Sequence, residues 1–204
     1  MKNNDWLKLL YNPFSRIAGW KAFGIGAVIV AVSVYIACAT GNYFSGAMNI
    51  RYIGPSATLL PAFMLQIQGL LCMVALMYVA GLIFSKGVRF QDVLGTVTLS
   101  RYPYLFAAIA CFLVKDIDMK SFVQNITQAA TNQTLGISHE FINVIIFGLI
   151  LLVLVVWYIA LLYNAFRVST DIKGAKGIVI FIVTLILTDI LNLLIFSLIT
   201  SKFI

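Results

Sequence analysis

Charge is what this chain has least of. Of its 204 residues only 10% are Asp, Glu, Lys or Arg, and just seven of these are acidic. An average soluble domain is about a quarter charged and about half apolar. Here 62% of the residues are hydrophobic and the mean hydropathy is +1.01. A compact ball of this length could not hide so much apolar surface and stay in water. The scarcity of charge therefore excludes a water-soluble globular domain and points to the bilayer as the solvent.

Other shortages exclude further classes. The three cysteines, Cys38, Cys72 and Cys111, are odd in number, and each stands in an apolar stretch. They read as buried free thiols acting as small hydrophobes, without disulfide framework or metal spacing. The single histidine, His139, beside Glu140, reads as a loop residue at a membrane edge rather than a ligand. No Gly-rich phosphate loop, nucleophile elbow or carboxylate cluster occurs. Asp116 and Asp118 beside Lys115 suit a solvated turn. A non-enzymatic chain with no cofactor and no metal site is expected. The formal charge of +7 and pI near 9.4 invite a nucleic-acid reading, but no basic run is long enough for one. Lys and Arg flanking membrane spans account for it better.

What the chain does have is long apolar runs. A helix needs about 20 apolar residues to cross roughly 30 Å of hydrocarbon. Runs at about 22–40, 62–84, 141–163 and 177–199 qualify. They are continuous rather than alternating, which selects helices over a barrel. A fifth run, about 95–114, is weaker. Only its later part, "YPYLFAAIACFLV", is clean, and extending it backward includes Arg101. Arg101 and Lys115 could snorkel to opposite surfaces, with Pro103 in a first helical turn; a re-entrant or interfacial piece is the alternative. The expected class is an all-α bundle of five transmembrane helices, with four as the alternative and the N-terminus cytoplasmic. The positive-inside count gives ten basic residues inside and four outside under either number of spans, so it leaves the C-terminus open.

Residues 1–21 form a cytoplasmic or interfacial lead ahead of a single domain over 22–204. "YIACAT" loosely imitates a cleavage or lipidation site, but the polar lead is long and aromatic, and an uncleaved first span is expected. Trp6, Leu7, Leu10, Phe14, Ile17 and Trp20 mix with Lys8 and Arg16 there. That suits either a headgroup-level helix bent at Pro13 or a plain aromatic anchor. Further on, Met119, Phe122, Val123 and Ile126 share one helical face, as in a short interfacial helix. "NIT" and "NQT" would be acceptor sequons only in a eukaryotic lumen.

One acid stands inside an apolar run. Asp189 lies near the midpoint of "GIVIFIVTLILTDILNLLIFSLI". Asp at a helix centre costs about 2.5–3.5 kcal/mol, which the run's Leu, Ile, Val and Phe residues outweigh. Thr184, Thr188 and Asn192 recur every four residues and share a face beside Asp189. The stripe should turn into the bundle, toward Gln66 and Gln68 on the second span and Asn143 on the fourth. No basic residue is placed at that depth by these span limits, so burial should leave Asp189 protonated and donating a hydrogen bond. Read structurally, it is interhelical glue. Read functionally, it is a proton or cation site of a small transporter or channel component. A transport path usually shows several such groups or broken helices, and only one acid is visible, so glue leads.

Three stretches together resemble the Yip1-domain family: "LYNPFSRI", "VRFQDVLGTVTLSRYPYLFAAI" and "VWYIALLYNAFRVSTDIKGAKGIVIFIVTLIL". The matching positions are Ser100 and Pro103 opening the third span, Trp157 in the next, and Ser169, Lys173, Ala175 and Lys176 before the last. The resemblance implies five spans with a cytosolic N-terminus. Eukaryotic relatives sit in ER and Golgi membranes, bind membrane proteins and prenylated Rab GTPases, and carry an acidic "DLYGP"-like N-terminal motif. That motif is missing here, so the Rab connection is not carried over, and the chain looks like the short prokaryotic members. The expected function is lateral interaction with other membrane proteins, as a trafficking-like scaffold or organiser in the inner membrane (ER or Golgi if eukaryotic). The expected partners are the bilayer, other membrane proteins and further copies of the chain, not nucleic acid.

Overall fold

In the computed structural model, residues 10–46, 49–85, 87–131 and 139–203 are described. Five helices are long and apolar enough to cross a membrane. The first is α1 (Gly19–Ala39) and the second is α2 (Leu59–Phe84). The third span is interrupted: α3 (Phe90–Leu99), α4 (Pro103–Ala110) and a 3-10 turn (Cys111–Val114) follow one another. A short helix, α5 (Met119–Thr131), precedes the long α6 (His139–Thr170) and α7 (Gly174–Phe203). This is a multi-pass helical membrane protein. Each helix runs a few residues past its apolar run, because polar ends still form backbone hydrogen bonds where they leave the hydrocarbon.

The weakest-looking span is the most enclosed. In α3 to the 3-10 turn 67% of the span is buried, more than in any other. A helix ringed by protein need not be as apolar as one ringed by lipid. Its hydroxyls are satisfied within the helix: Thr96 Oγ1 donates to the Asp92 carbonyl (2.8 Å), Thr98 Oγ1 to Leu94 (2.6 Å) and Ser100 Oγ to Val97 (2.8 Å). The α1–α3 crossing is close. A Cβ on Gly26 would stand 2.6 Å from the Leu99 nitrogen, and one on Gly95 2.3 Å from the Gly19 carbonyl oxygen. Small residues at a helix crossing serve packing inside a bilayer, where dispersion replaces the hydrophobic drive.

Loop contacts define two faces. At one, Gly81 of α2 packs on Val88 and on Thr170 at the end of α6, while Lys176 Nζ sits 5.4 Å over the Phe84 ring. This is the N-terminal face. At the other, Thr40, Gly41, Tyr52 and Gly54 line one recess with Lys115 and Asp116. Between α1 and α2 on that face the chain folds into an antiparallel hairpin, β1 (Asn42–Ser45) with β2 (Asn49–Tyr52), in register Asn42↔Tyr52 to Ser45↔Asn49. The Tyr43 hydroxyl ties the base of the hairpin to α2: it donates to the Thr58 carbonyl (3.0 Å) and accepts from the Thr58 amide (2.6 Å).

The expected short amphipathic helix is α5. Phe122 is buried and Ile126 half-buried against Phe141, Val144 and Phe147, whereas Val123 faces outward. "NIT" falls within α5; "NQT" lies outside the described residues, as do Lys2, Trp6, Leu7, Lys8 and Lys86.

The rest of the lead folds back onto the bundle. Phe14 is buried with Ala22, Leu99, Leu161 and Ala165. The Leu10 carbonyl accepts from the Tyr102 hydroxyl and from Trp157 Nε1 (3.1 Å); Tyr11's carbonyl accepts from Asn164 Nδ2 (2.8 Å). Trp157 is thus more than a filler of the fourth span. Trp157→Phe keeps the ring and loses the donor, so it should weaken this docking by about 0.5–1.5 kcal/mol. Amide exchange over residues 10–18 should speed up while α1 stays protected; unchanged exchange would disprove the pinning role.

Candidate functional site

The break in the third span places a cation at its middle. Pro103 has no N–H to offer the Leu99 carbonyl, and the chain answers with tighter bonds: Arg101 N to Thr98 O (3.3 Å) and Tyr102 N to Leu99 O (3.2 Å). Arg101 falls inside this step. Its expected course to a surface is wrong: the side chain is wholly buried, 0% exposed. Nη2 donates to the Gly46 carbonyl (3.3 Å), and the guanidinium carbon lies 5.5 Å from the Tyr104 ring centre. Snorkelling is prevented because the residue stands eleven positions into the span, about 16 Å at 1.5 Å per residue.

The acceptor for Arg101 comes from the hairpin. Gly46 follows β1 at the tip, with φ of +68°. Gly69 stands ten residues into α2, about 15 Å, and a strand of four residues spans about 13 Å. The tip and Gly69 therefore meet at one depth. A Cβ on Gly69 would stand 2.6 Å from the Gly46 carbonyl oxygen, so only glycine permits the approach. Irregular backbone at membrane depth is tolerated when protein encloses it, and all four β1 residues are buried.

Asp189 reaches the same point from α7. A Cβ on Gly46 would lie 3.4 Å from Asp189 Oδ1 and 3.5 Å from Asn49 Nδ2. Two buried phenols, Tyr104 and Tyr158, complete the surroundings of Arg101, whose guanidinium faces the Tyr104 ring. Those rings meet edge to face, 5.2 Å apart at 89°. Their hydroxyls approach each other, but that of Tyr158 lacks an aligned hydrogen-bond partner among the described residues. The expectation that no cation lies at the depth of Asp189 is overturned by Arg101, which meets the same hairpin tip.

The predicted stripe divides. Thr184, Thr188 and Asn192 are buried, as expected of a face turned inward. They bond along their own helix: Thr184 Oγ1 to Ile180 O (2.8 Å), Thr188 Oγ1 to Thr184 O (2.8 Å), Asn192 Nδ2 to Thr188 O (2.9 Å). Gln68 Nε2 donates to the Asn192 carbonyl (3.4 Å), joining α2 to α7. Gln66 is buried one turn before Gly69, and neither side-chain amide atom has a partner among the described residues. Asn143 is exposed near the start of α6 and is not brought to this cluster. Residues missed from sequence are Arg101, Gly46, Gly69, Tyr104 and Tyr158. The available signal was Arg101 itself, a charge two residues before Pro103 in a span-length run.

Several buried polar atoms here remain without a partner among the described residues: Arg101 Nε and Nη1, Tyr158 Oη and Asn192 Oδ1. Each such group costs about 1–3 kcal/mol if nothing satisfies it. A charged donor with two idle nitrogens, sharing the Gly46 tip with a carboxylate, is chemically equipped to hold a small ion, a proton or water. Among the described residues no group of His, Cys, Asp or Glu is placed to hold a metal. Compared with known protein families, with curated proteins and with solved structures, the chain matches none of them.

Proposed function

We propose that this chain is a non-enzymatic, multi-pass inner-membrane protein that handles a proton or small ion at mid-depth, as a small transporter or channel component. The carrying observation is Arg101, wholly buried with two unpartnered N–H groups, gathered with Asp189 around the tip of an inserted hairpin. Buried charges inside a membrane mark ion or proton paths more often than they mark glue. The interrupted third span and the re-entrant hairpin are further attributes of transport sites. Nine basic residues lie by sequence position on the N-terminal face against four elsewhere, once Arg101 is assigned to the interior. That asymmetry favours a cytoplasmic N-terminus.

The test is flux. Reconstituted in liposomes under a pH gradient, the wild-type chain should carry proton-coupled flux, and Asp189→Asn should lose most of it. Equal flux from both, or none from either, removes this reading.

A second reading, the Yip1-like lateral scaffold, is favoured by α6. It is the least buried span, and Leu149, Leu152, Val153 and Val156 present a wide apolar face. Mild crosslinking in native membranes should then capture complexes through α6, and recovery of free monomer alone would count against it.

A further inference from the structure

We infer that a water-filled cleft opens the Asp189–Arg101 site to the hairpin face alone. The inference deepens the solute-site reading above, since it says from which side that site is reached. The cleft lies between the hairpin, α2 and α7, and its polar walls are Ser45, Asn49, Arg51, Gln68 and Asn192. Gly46, which also lines it, joins the cleft to the site: Asp189 Oδ1 lies 3.4 Å from where its Cβ would stand, and its carbonyl accepts from Arg101 Nη2 (3.3 Å). From there the walls step toward the hairpin base: Arg51 pairs with Tyr43 in register, and Phe196 is one turn beyond Asn192. Arg51 sits at that end. Its Nε donates to Ser45 Oγ (3.1 Å), and its guanidinium carbon lies 3.8 Å from the centre of the Phe196 ring.

Water is the occupant this chemistry selects. Asn192 is 95% buried, lines the cleft, and has an Oδ1 without a partner among the described residues. That atom only accepts hydrogen bonds, whereas the Arg51 guanidinium in the same lining only donates. An anion would suit the arginine and be repelled by the amide oxygen; a cation would do the reverse. Water serves both, and buried water typically makes about three such bonds. The space beside Asn192 admits about one water-sized molecule at a time. Toward the N-terminal face, Met77, Val93, Val97, Leu162, Phe166 and Phe181 close that half as one buried apolar cluster.

Accessibility of a single thiol tests this. Cys38, Cys72 and Cys111 are changed to alanine, and Asn192→Cys is introduced. Lys115→Cys and Lys173→Cys report the two faces in separate samples. A charged, membrane-impermeant methanethiosulfonate should label Asn192→Cys in vesicles oriented to label Lys115→Cys, and labelling should be lost where Lys173→Cys reacts. Labelling from the Lys173 face, or from neither face while both reporters react, overturns the inference. Should the substituted chain fail to fold, hydroxyl-radical footprinting of the wild-type chain in nanodiscs decides. Phe196 and Leu65, which line the cleft, should oxidise faster than the lipid-facing Leu152 and Leu187. Equal rates would show a dry cleft. Neither readout involves flux, so a hydrated cleft without transport defeats the proposed function and leaves this inference standing.

Discussion

Replacing Arg101 with methionine is expected to cost about 1–3 kcal/mol of stability, because it leaves the buried Gly46 carbonyl without its charged donor and removes the cation that shares the hairpin tip with the half-buried Asp189. Methionine keeps much of the stem and the packing volume, so the loss reports charge rather than a cavity. It removes the cation that shares the hairpin tip with Asp189 and deprives the Gly46 carbonyl of its donor. The informative measurement is a double-mutant cycle. Asp189→Leu alone should also destabilise, by removing the anion that shares the hairpin tip with the buried Arg101. Arg101→Met combined with Asp189→Leu should recover much of the loss, because the two uncompensated charges disappear together. Unfolding monitored in detergent or bicelles supplies the four numbers. Strictly additive losses would show that the two charges do not sense each other, and the site as described would not exist.

The second large effect is expected at Gly69. Gly69→Ala places a methyl group 2.6 Å from the Gly46 carbonyl oxygen and 2.9 Å from the Gly46 nitrogen. Both are backbone atoms, so no rotamer change relieves the clash; the hairpin tip must withdraw or α2 must shift. Overpacking of this kind costs about 1–3 kcal/mol, and the upper end is expected here. Withdrawal would also break the Arg101–Gly46 hydrogen bond. Gly24 is the control, because a Cβ there meets nothing within 4 Å. Gly24→Ala should be neutral or slightly stabilising, given the better helix propensity of alanine. A Gly69→Ala chain as stable as Gly24→Ala, with flux intact, would mean the hairpin does not insert as described.

These two positions differ in how far sequence could reach them. Asp189 announced itself, since a carboxylate in a long apolar run is anomalous wherever it packs. Its stripe partners followed from four-residue spacing, and Thr188 and Asn192 are indeed buried. Arg101 was visible but misassigned. Hydropathy treats every span as lipid-facing, so a polar third span looked like an edge or interfacial segment. It is the enclosed span, and protein around it relaxes the demand for apolar side chains. Gly69 carried no signal at all, because a glycine in an apolar run reads the same whether it faces lipid or a hairpin.

Composition and run length alone determined that this polypeptide dissolves in a bilayer as continuous helices, since unpaired backbone groups cannot be left in hydrocarbon. The tertiary structure alone decided which charge meets Asp189 and how deep the first connection reaches. Those depend on contacts between residues far apart in the chain, Gly46, Gly69, Arg101 and Asp189, and a one-dimensional hydropathy pattern records burial from water without saying whether lipid or protein provides it.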